Sequence, residues 1–126
     1  MRPSRLVLLS ALGIALAGGC ANSTDERPAE FPVIVTQILR PSCATAACHD
    51  AMSAVQRLDF STVAAAAASI DRRGLIRDPD PDPDPDRTQL ITILTTSGDK
   101  RMPADGPLAD ADIELIRTWI VDGAVH

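Results

Sequence analysis

Aromatic residues are almost absent from this sequence. They make up 2% of its 126 residues, as Phe31, Phe60 and Trp119, and tyrosine does not occur at all. Aromatic side chains supply much of the area buried in small cores. A core here must therefore be aliphatic, and we expect the domain to need a further source of stability.

Positive charge is also scarce. Lys and Arg number 12 against 17 Asp and Glu, which gives a formal net charge of −5. No segment forms a basic patch, so binding to nucleic acid would lack its main electrostatic contribution. The composition therefore excludes nucleic acid as an expected partner.

The apolar run near the start of the chain is too short to span a membrane. It extends from Leu6 to Ala17, about twelve residues, whereas a transmembrane helix needs roughly twenty. Arg2 and Arg5 precede it and small residues follow it, which is the layout of a secretory signal. Residues 1–19 are predicted to be a signal peptide that is removed, and its removal would make the net charge more negative by two.

Cysteine occurs only at positions 20, 43 and 48. The run Leu16-Ala17-Gly18-Gly19-Cys20 resembles the lipobox of bacterial lipoproteins, in which cleavage leaves a lipidated cysteine as the first residue. By that resemblance Cys20 carries the lipid, and the polar residues 20–30 form a short tether to the domain. The protein is then exported and lipid-anchored to the cell envelope, facing the periplasm or in the outer membrane. The alternative is an ordinary secreted chain in which Cys20 is a spare thiol.

Helical patterns predominate in residues 31–126, which are predicted to form one domain. Four helices are predicted. The first begins at Phe31 and stops at Pro41, and the second runs through 63–70 with Asp59 or Ser61 as its cap. The third covers 88–96, for which a strand is the alternative, and the fourth runs from Asp110 to Asp122 and is ended by Gly123. No segment alternates convincingly between apolar and polar residues, so the predicted fold class is all-α.

Residues 78–86 alternate strictly between Asp and Pro. Proline lacks an amide hydrogen and forces its predecessor into extended conformations, so this loop is predicted to be stiff and solvated. Its aspartates do not match a calcium loop of the EF-hand kind, because no register supplies both the glycine and the bidentate glutamate. The segment is interpreted as a charged spacer.

The segment Cys43-Ala44-Thr45-Ala46-Ala47-Cys48-His49 contains the residues with the clearest chemistry. Two thiols can add to the two vinyl groups of haem, and a histidine directly after the second cysteine can bind the iron as its proximal ligand. The pattern predicts one covalently bound haem c. A disulfide between Cys43 and Cys48 is the alternative, whereas structural zinc is disfavoured because a fourth ligand is missing.

Four segments together resemble the cytochrome c-like domains of bacterial exported proteins, in the variant with four residues between the cysteines. These are residues 38–43, Cys48-His49-Asp50, Arg101-Met102-Pro103, and the helix ending Trp119-Ile120-Val121-Asp122-Gly123-Ala124. The resemblance implies a small helical domain around one haem, with His49 as the proximal ligand and Met102 as the distal ligand. It also implies that the helix before the cysteines crosses the last helix near Trp119.

Two other residues are rival iron ligands. Met52 follows His49 by three residues, so it would lie on the same face of the haem, and His126 is terminal and expected to be mobile.

A haem held by His and Met has no open position, which predicts an electron carrier rather than an enzyme. The acidic surface favours a basic redox partner. The alternatives are a disulfide-bonded structural or binding lipoprotein without cofactor, and a haem sensor or peroxidase if Met102 does not bind iron.

Overall fold

The computed structural model describes residues 25–77 and 84–126. The predicted signal peptide, Cys20 and most of the Asp-Pro loop lie outside these residues. The described residues form four main helices and no strand, which confirms the predicted all-α class. Helix α1 covers residues 31–43, α2 is Val63–Arg73, α3 is Gln89–Thr95 and α4 is Asp110–Val121. None of the helices in the described ranges is both long and apolar enough to cross a bilayer.

Helix α1 continues through Pro41, so the predicted stop at this residue is wrong. It consists of α-helical Phe31–Ile34, a π-helical turn at Val35–Leu39, and α-helical Arg40–Cys43. In a regular α-helix the proline ring would clash with the carbonyl four residues earlier. The wider π turn ends at Leu39, two residues before Pro41, and places this proline in the first turn of the next α-helical segment, where proline is tolerated. The helix therefore reaches Cys43.

The helix caps differ from the prediction at α2. Thr62 is the N-cap, and its Oγ1 accepts a hydrogen bond from the Ala65 amide at 3.1 Å. Asp59 instead accepts hydrogen bonds from the amide and hydroxyl of Ser61, so neither of these two residues caps the helix. At α4 the N-cap position is Ala109, which has no side-chain cap.

Helix α3 confirms the helical prediction for 88–96 over its strand alternative. Thr88 is buried and caps the helix by accepting from the Ile91 amide at 3.3 Å. The described end of the Asp-Pro loop lies beside it, where Asp86 accepts a hydrogen bond from Arg117 of α4 at 2.8 Å.

The core is aliphatic, as the shortage of aromatic residues requires, and all four helices contribute to it. Its most deeply buried members include Ile34, Val35, Ile38, Leu39, Ile70, Ile91 and Ile116. Phe31 of α1 stacks on Trp119 of α4 with ring centroids 5.1 Å apart and planes 25° apart. This contact joins the first and last helices.

Both ends of the described chain are fastened to the helices. Arg27, within the predicted tether, forms ion pairs with Asp25 and, at 2.6 Å, with Asp112 of α4. At the other end the His126 ring lies 5.0 Å from that of Phe31, and its Nε2 is 3.1 Å from a carboxylate oxygen of Asp71. These contacts place the His126 side chain against α1 and α2.

Candidate functional site

A cavity of about 270 Å³ lies between the end of α1, the loop that follows it and the segment after α3. It brings together all four residues predicted to bind the cofactor, although Met102 is distant from the other three in the sequence. The residues that line it are Ser42, Cys43, Thr45, Ala47, Cys48, His49, Val55, Met102, Pro103, Ala104 and Asp105.

The loop between the cysteines closes as a compact turn. The Cys48 amide donates to the Thr45 carbonyl, and the His49 amide donates to the Cys43 carbonyl, both at 3.0 Å. Ala47 has a φ of 68°, a left-handed conformation that reverses the chain just before Cys48. These bonds allow four residues to intervene while both cysteines remain on the cavity.

The two thiols occupy different environments. Cys43, the last residue of α1, is buried, whereas Cys48 is exposed, and the two described cysteines are not joined in a disulfide. Burial raises the pKa of the Cys43 thiol to about 11, and the charges of Cys48 and Asp105 contribute to this shift. Cys43 is therefore a neutral thiol near pH 7.

His49 is held with one ring nitrogen free to bind a metal. Its Nδ1 lies 2.9 Å from the Val55 carbonyl oxygen, which can only accept, so Nδ1 carries the hydrogen and Nε2 of the neutral ring keeps its lone pair. Phe60 packs edge-on against the imidazole, with ring centroids 5.6 Å apart. A backbone carbonyl that fixes the second nitrogen in this way is a common feature of metal-binding histidines.

Met102 is the methionine that the fold places on the cavity. Its amide donates to the Ile93 carbonyl at 2.9 Å, which ties this segment to the end of α3. The Met102–Pro103 peptide bond is cis. The rival Met52 is 92% exposed and is not part of the cavity wall. The other rival, His126, lies against Phe31 and Trp119, away from the cavity.

Several residues around the site have contacts that the sequence patterns did not indicate. Val55 and Phe60 orient His49, and Asp105 lines the cavity beside Cys43. Arg101, directly before Met102, has a buried Nε with no hydrogen-bond partner. Phe60 is one of three aromatic residues in the sequence. This rarity is the signal that could have pointed to its contact with His49. Asp50 accepts from the Ser53 amide at 2.7 Å and stabilises the turn after His49.

The cavity combines one histidine and one methionine with two cysteines. In the part of the chain that the structure describes, no group of three or more His, Cys, Asp or Glu side chains could hold a metal ion. Iron in a porphyrin already has four nitrogen ligands and requires only two from the protein. His49 and Met102 line the same cavity as the two cysteines and are the residues that would supply these two ligands.

Comparison with known proteins found no match among protein-family models, curated proteins or solved structures.

Proposed function

We propose that this protein is a monohaem c-type cytochrome that transfers electrons and is tethered to a membrane through Cys20. The observation that carries the proposal is the convergence of Cys43, Cys48, His49 and Met102 on one cavity. Two distant parts of the sequence supply these residues. Each residue alone has an ordinary structural explanation, but their occurrence on one cavity supports a common cofactor.

Each residue has a distinct role in this proposal. The thiols of Cys43 and Cys48 form thioethers to the haem vinyl groups and fix its position. His49 presents Nε2 to the iron, because its Nδ1 is engaged by Val55. Met102 supplies a thioether from the other segment. Haem bound in this way exchanges single electrons, and a sulfur ligand raises its reduction potential.

The surroundings support electron transfer to a partner protein. Cys48 and Val55 are exposed on the cavity wall, so the cavity communicates with solvent. The chain is acidic overall, which favours a basic redox partner and makes association sensitive to salt. Lipidation at Cys20 would keep the carrier at the envelope.

The test is expression of the full chain with a haem-attachment system, followed by haem staining of a denaturing gel, in which only covalent haem survives. We expect a stained band in the membrane fraction. Cys48→Ser should lose at least one thioether. Cys20→Ser removes a thiol outside the motif, so it should keep the stain but appear in the soluble fraction or with an uncleaved signal.

Other results would overturn parts of the proposal. Wild-type protein with no stain and a disulfide between Cys43 and Cys48 would indicate a structural or binding lipoprotein without cofactor. A stained protein that binds carbon monoxide readily would indicate an open iron position, as in a sensor or peroxidase. A stained wild-type protein that is soluble and not acylated would remove the membrane tether alone.

A further inference from the structure

The ring of His126 faces a hydrogen-bond acceptor at each of its two nitrogens. Its Nδ1 lies 3.1 Å from the Ala124 carbonyl oxygen, and its Nε2 lies 3.1 Å from a carboxylate oxygen of Asp71 on α2. A carbonyl and a carboxylate can only accept, whereas a neutral imidazole has one N–H and one lone pair. The neutral ring therefore leaves one of these contacts between two acceptors, and only the protonated ring can donate to both.

The charged groups around the ring also favour its protonated form. Asp71 approaches from α2, and Glu30 and Asp122 line the same cavity of about 330 Å³ as His126. No lysine or arginine is among the described residues that line this cavity. The charge that the arm, α2 and the end of α4 present to the ring is therefore negative, and a negative surrounding stabilises an imidazolium.

The basic residues of α2 do not offset this charge. Arg72 and Arg73 follow Asp71 directly, and residues one or two positions apart on a helix do not face each other. The Arg72 guanidinium donates instead to the Arg57 carbonyl at 2.8 Å. Asp71 is therefore left to interact with His126.

Aromatic rings complete the surroundings of His126. The centroid of Phe31 lies 5.0 Å away, within the range of about 6 Å in which an aromatic ring attracts a cation. Trp119 lies behind it at 6.5 Å, and its Nε1–H donates to the carbonyl of Val125, the residue before His126, at 3.0 Å. The segment 122–126 thus covers the contact between the first and last helices.

We infer that His126 is a pH-sensitive latch that fastens the segment 122–126 to α2 and to the Phe31–Trp119 pair. These residues lie away from the haem cavity, so the inference does not depend on the proposed function. Protonation gives the ring its second donor and a charge that Asp71 attracts. An ordinary histidine loses its proton near about pH 6.5. The latch is therefore fastened below this pH and loosens as the pH rises above it.

The test follows the indole N–H of Trp119, the only tryptophan in the chain, by NMR measurement of its exchange with solvent in the full chain. Loosening of the latch frees this N–H from Val125 and speeds its exchange. The variants are Asp71→Asn, His126→Gln and the control Asp99→Asn. Asp99 is exposed and does not line this cavity, so its replacement makes the same change in net charge as that of Asp71. Each variant is compared with the wild type at one pH, about 5.5 or about 8, on either side of the histidine range.

We expect Asp71→Asn to speed the exchange about two- to fivefold at the lower pH, as expected for the loss of an exposed ion pair, and by less at the higher pH. His126→Gln should show the same pH dependence, because it removes the charge on which the latch depends. Asp99→Asn should match the wild type at both values. Equal ratios of Asp71→Asn to wild type at the two pH values, or the same pH dependence in Asp99→Asn, would overturn the inference. If Asp71→Asn does not accumulate, the pH dependence of His126→Gln decides.

Discussion

At the scale of single residues, the electron-transfer proposal depends on the thioether of Met102. Met102→Ala should open the sixth iron position, lower the reduction potential and allow the ferrous form to bind carbon monoxide. Met52→Ala is a matched control, because Met52 is 92% exposed and off the cavity. Optical spectra and redox titration of the two variants provide the comparison.

Replacement of Met102 by histidine gives a second result from the same position. Met102→His should keep six ligands on the iron but still lower the potential, because an imidazole replaces sulfur. An unchanged spectrum and potential in Met102→Ala would mean that another group binds the iron and would contradict the assignment. A changed spectrum in Met52→Ala would point to Met52 as that group.

The sequence indicated residues that line the cavity but not the residues that orient them. Cys43, Cys48 and His49 lie within seven consecutive residues, so their pattern is visible without a structure. Val55 acts through its backbone carbonyl, which any residue type possesses, so no side-chain pattern could reveal it. The buried Nε of Arg101 was also invisible, because burial depends on packing between distant segments.

At the scale of helices, the caps of α2 and α4 allow a test with opposite signs. Thr62→Ala removes the Oγ1 that accepts from Ala65, and we expect it to cost about 1 kcal/mol of stability. Ala109→Ser adds a side-chain acceptor at an uncapped N-terminus, and we expect a gain of roughly 0.5–1 kcal/mol. Urea unfolding measures both. A stability change of the same sign in the two variants would contradict the observed cap positions.

Helix positions were predicted well and helix ends less well, for a physical reason. Apolar periodicity reports which face of a segment is buried, and it located α3 and α4 correctly. Apolar periodicity does not show where a helix widens to accommodate a proline. The π turn that lets α1 continue past Pro41 to Cys43 could therefore not be predicted. The choice of Thr62 over Asp59 and Ser61 as cap was likewise decided by the fold, because Asp59 is engaged by Ser61.

At the scale of the whole molecule, Arg27 joins the N-terminal arm, residues 25–30, to α4. Its guanidinium contacts both Asp25 and Asp112. Arg27→Gln should release the arm and make cleavage at Glu26 by a Glu-specific protease faster. The control is Arg117→Gln, which removes an equal charge from the pairs with Asp86 and Glu114. Equal cleavage rates in the two variants would contradict an arm held by Arg27.

The local pair of Asp25 and Arg27 within the arm predicts a response to acid. Hydrogen bonds from Arg27 lower the pKa of Asp25 from 3.8 to about 2. A carboxylate whose pKa is lowered in the folded state contributes stability above its unfolded pKa, and that contribution is lost as pH falls through the folded value. The Asp25–Arg27 pair should therefore persist at pH 4 and be lost towards pH 2. In Arg27→Gln an NMR titration should return the pKa of Asp25 towards 3.8, and a value that stays near 2 would contradict this account.

The most direct test of the whole account is the intact mass of the mature protein purified from the membrane fraction of cells that attach haem. We predict a chain that begins at an acylated Cys20 and carries the added mass of one complete haem, since thioether formation adds the vinyl groups to the thiols without loss of any atom. A mass equal to that of the chain less two hydrogens, with no haem, would show a disulfide between Cys43 and Cys48 and would contradict the central claim.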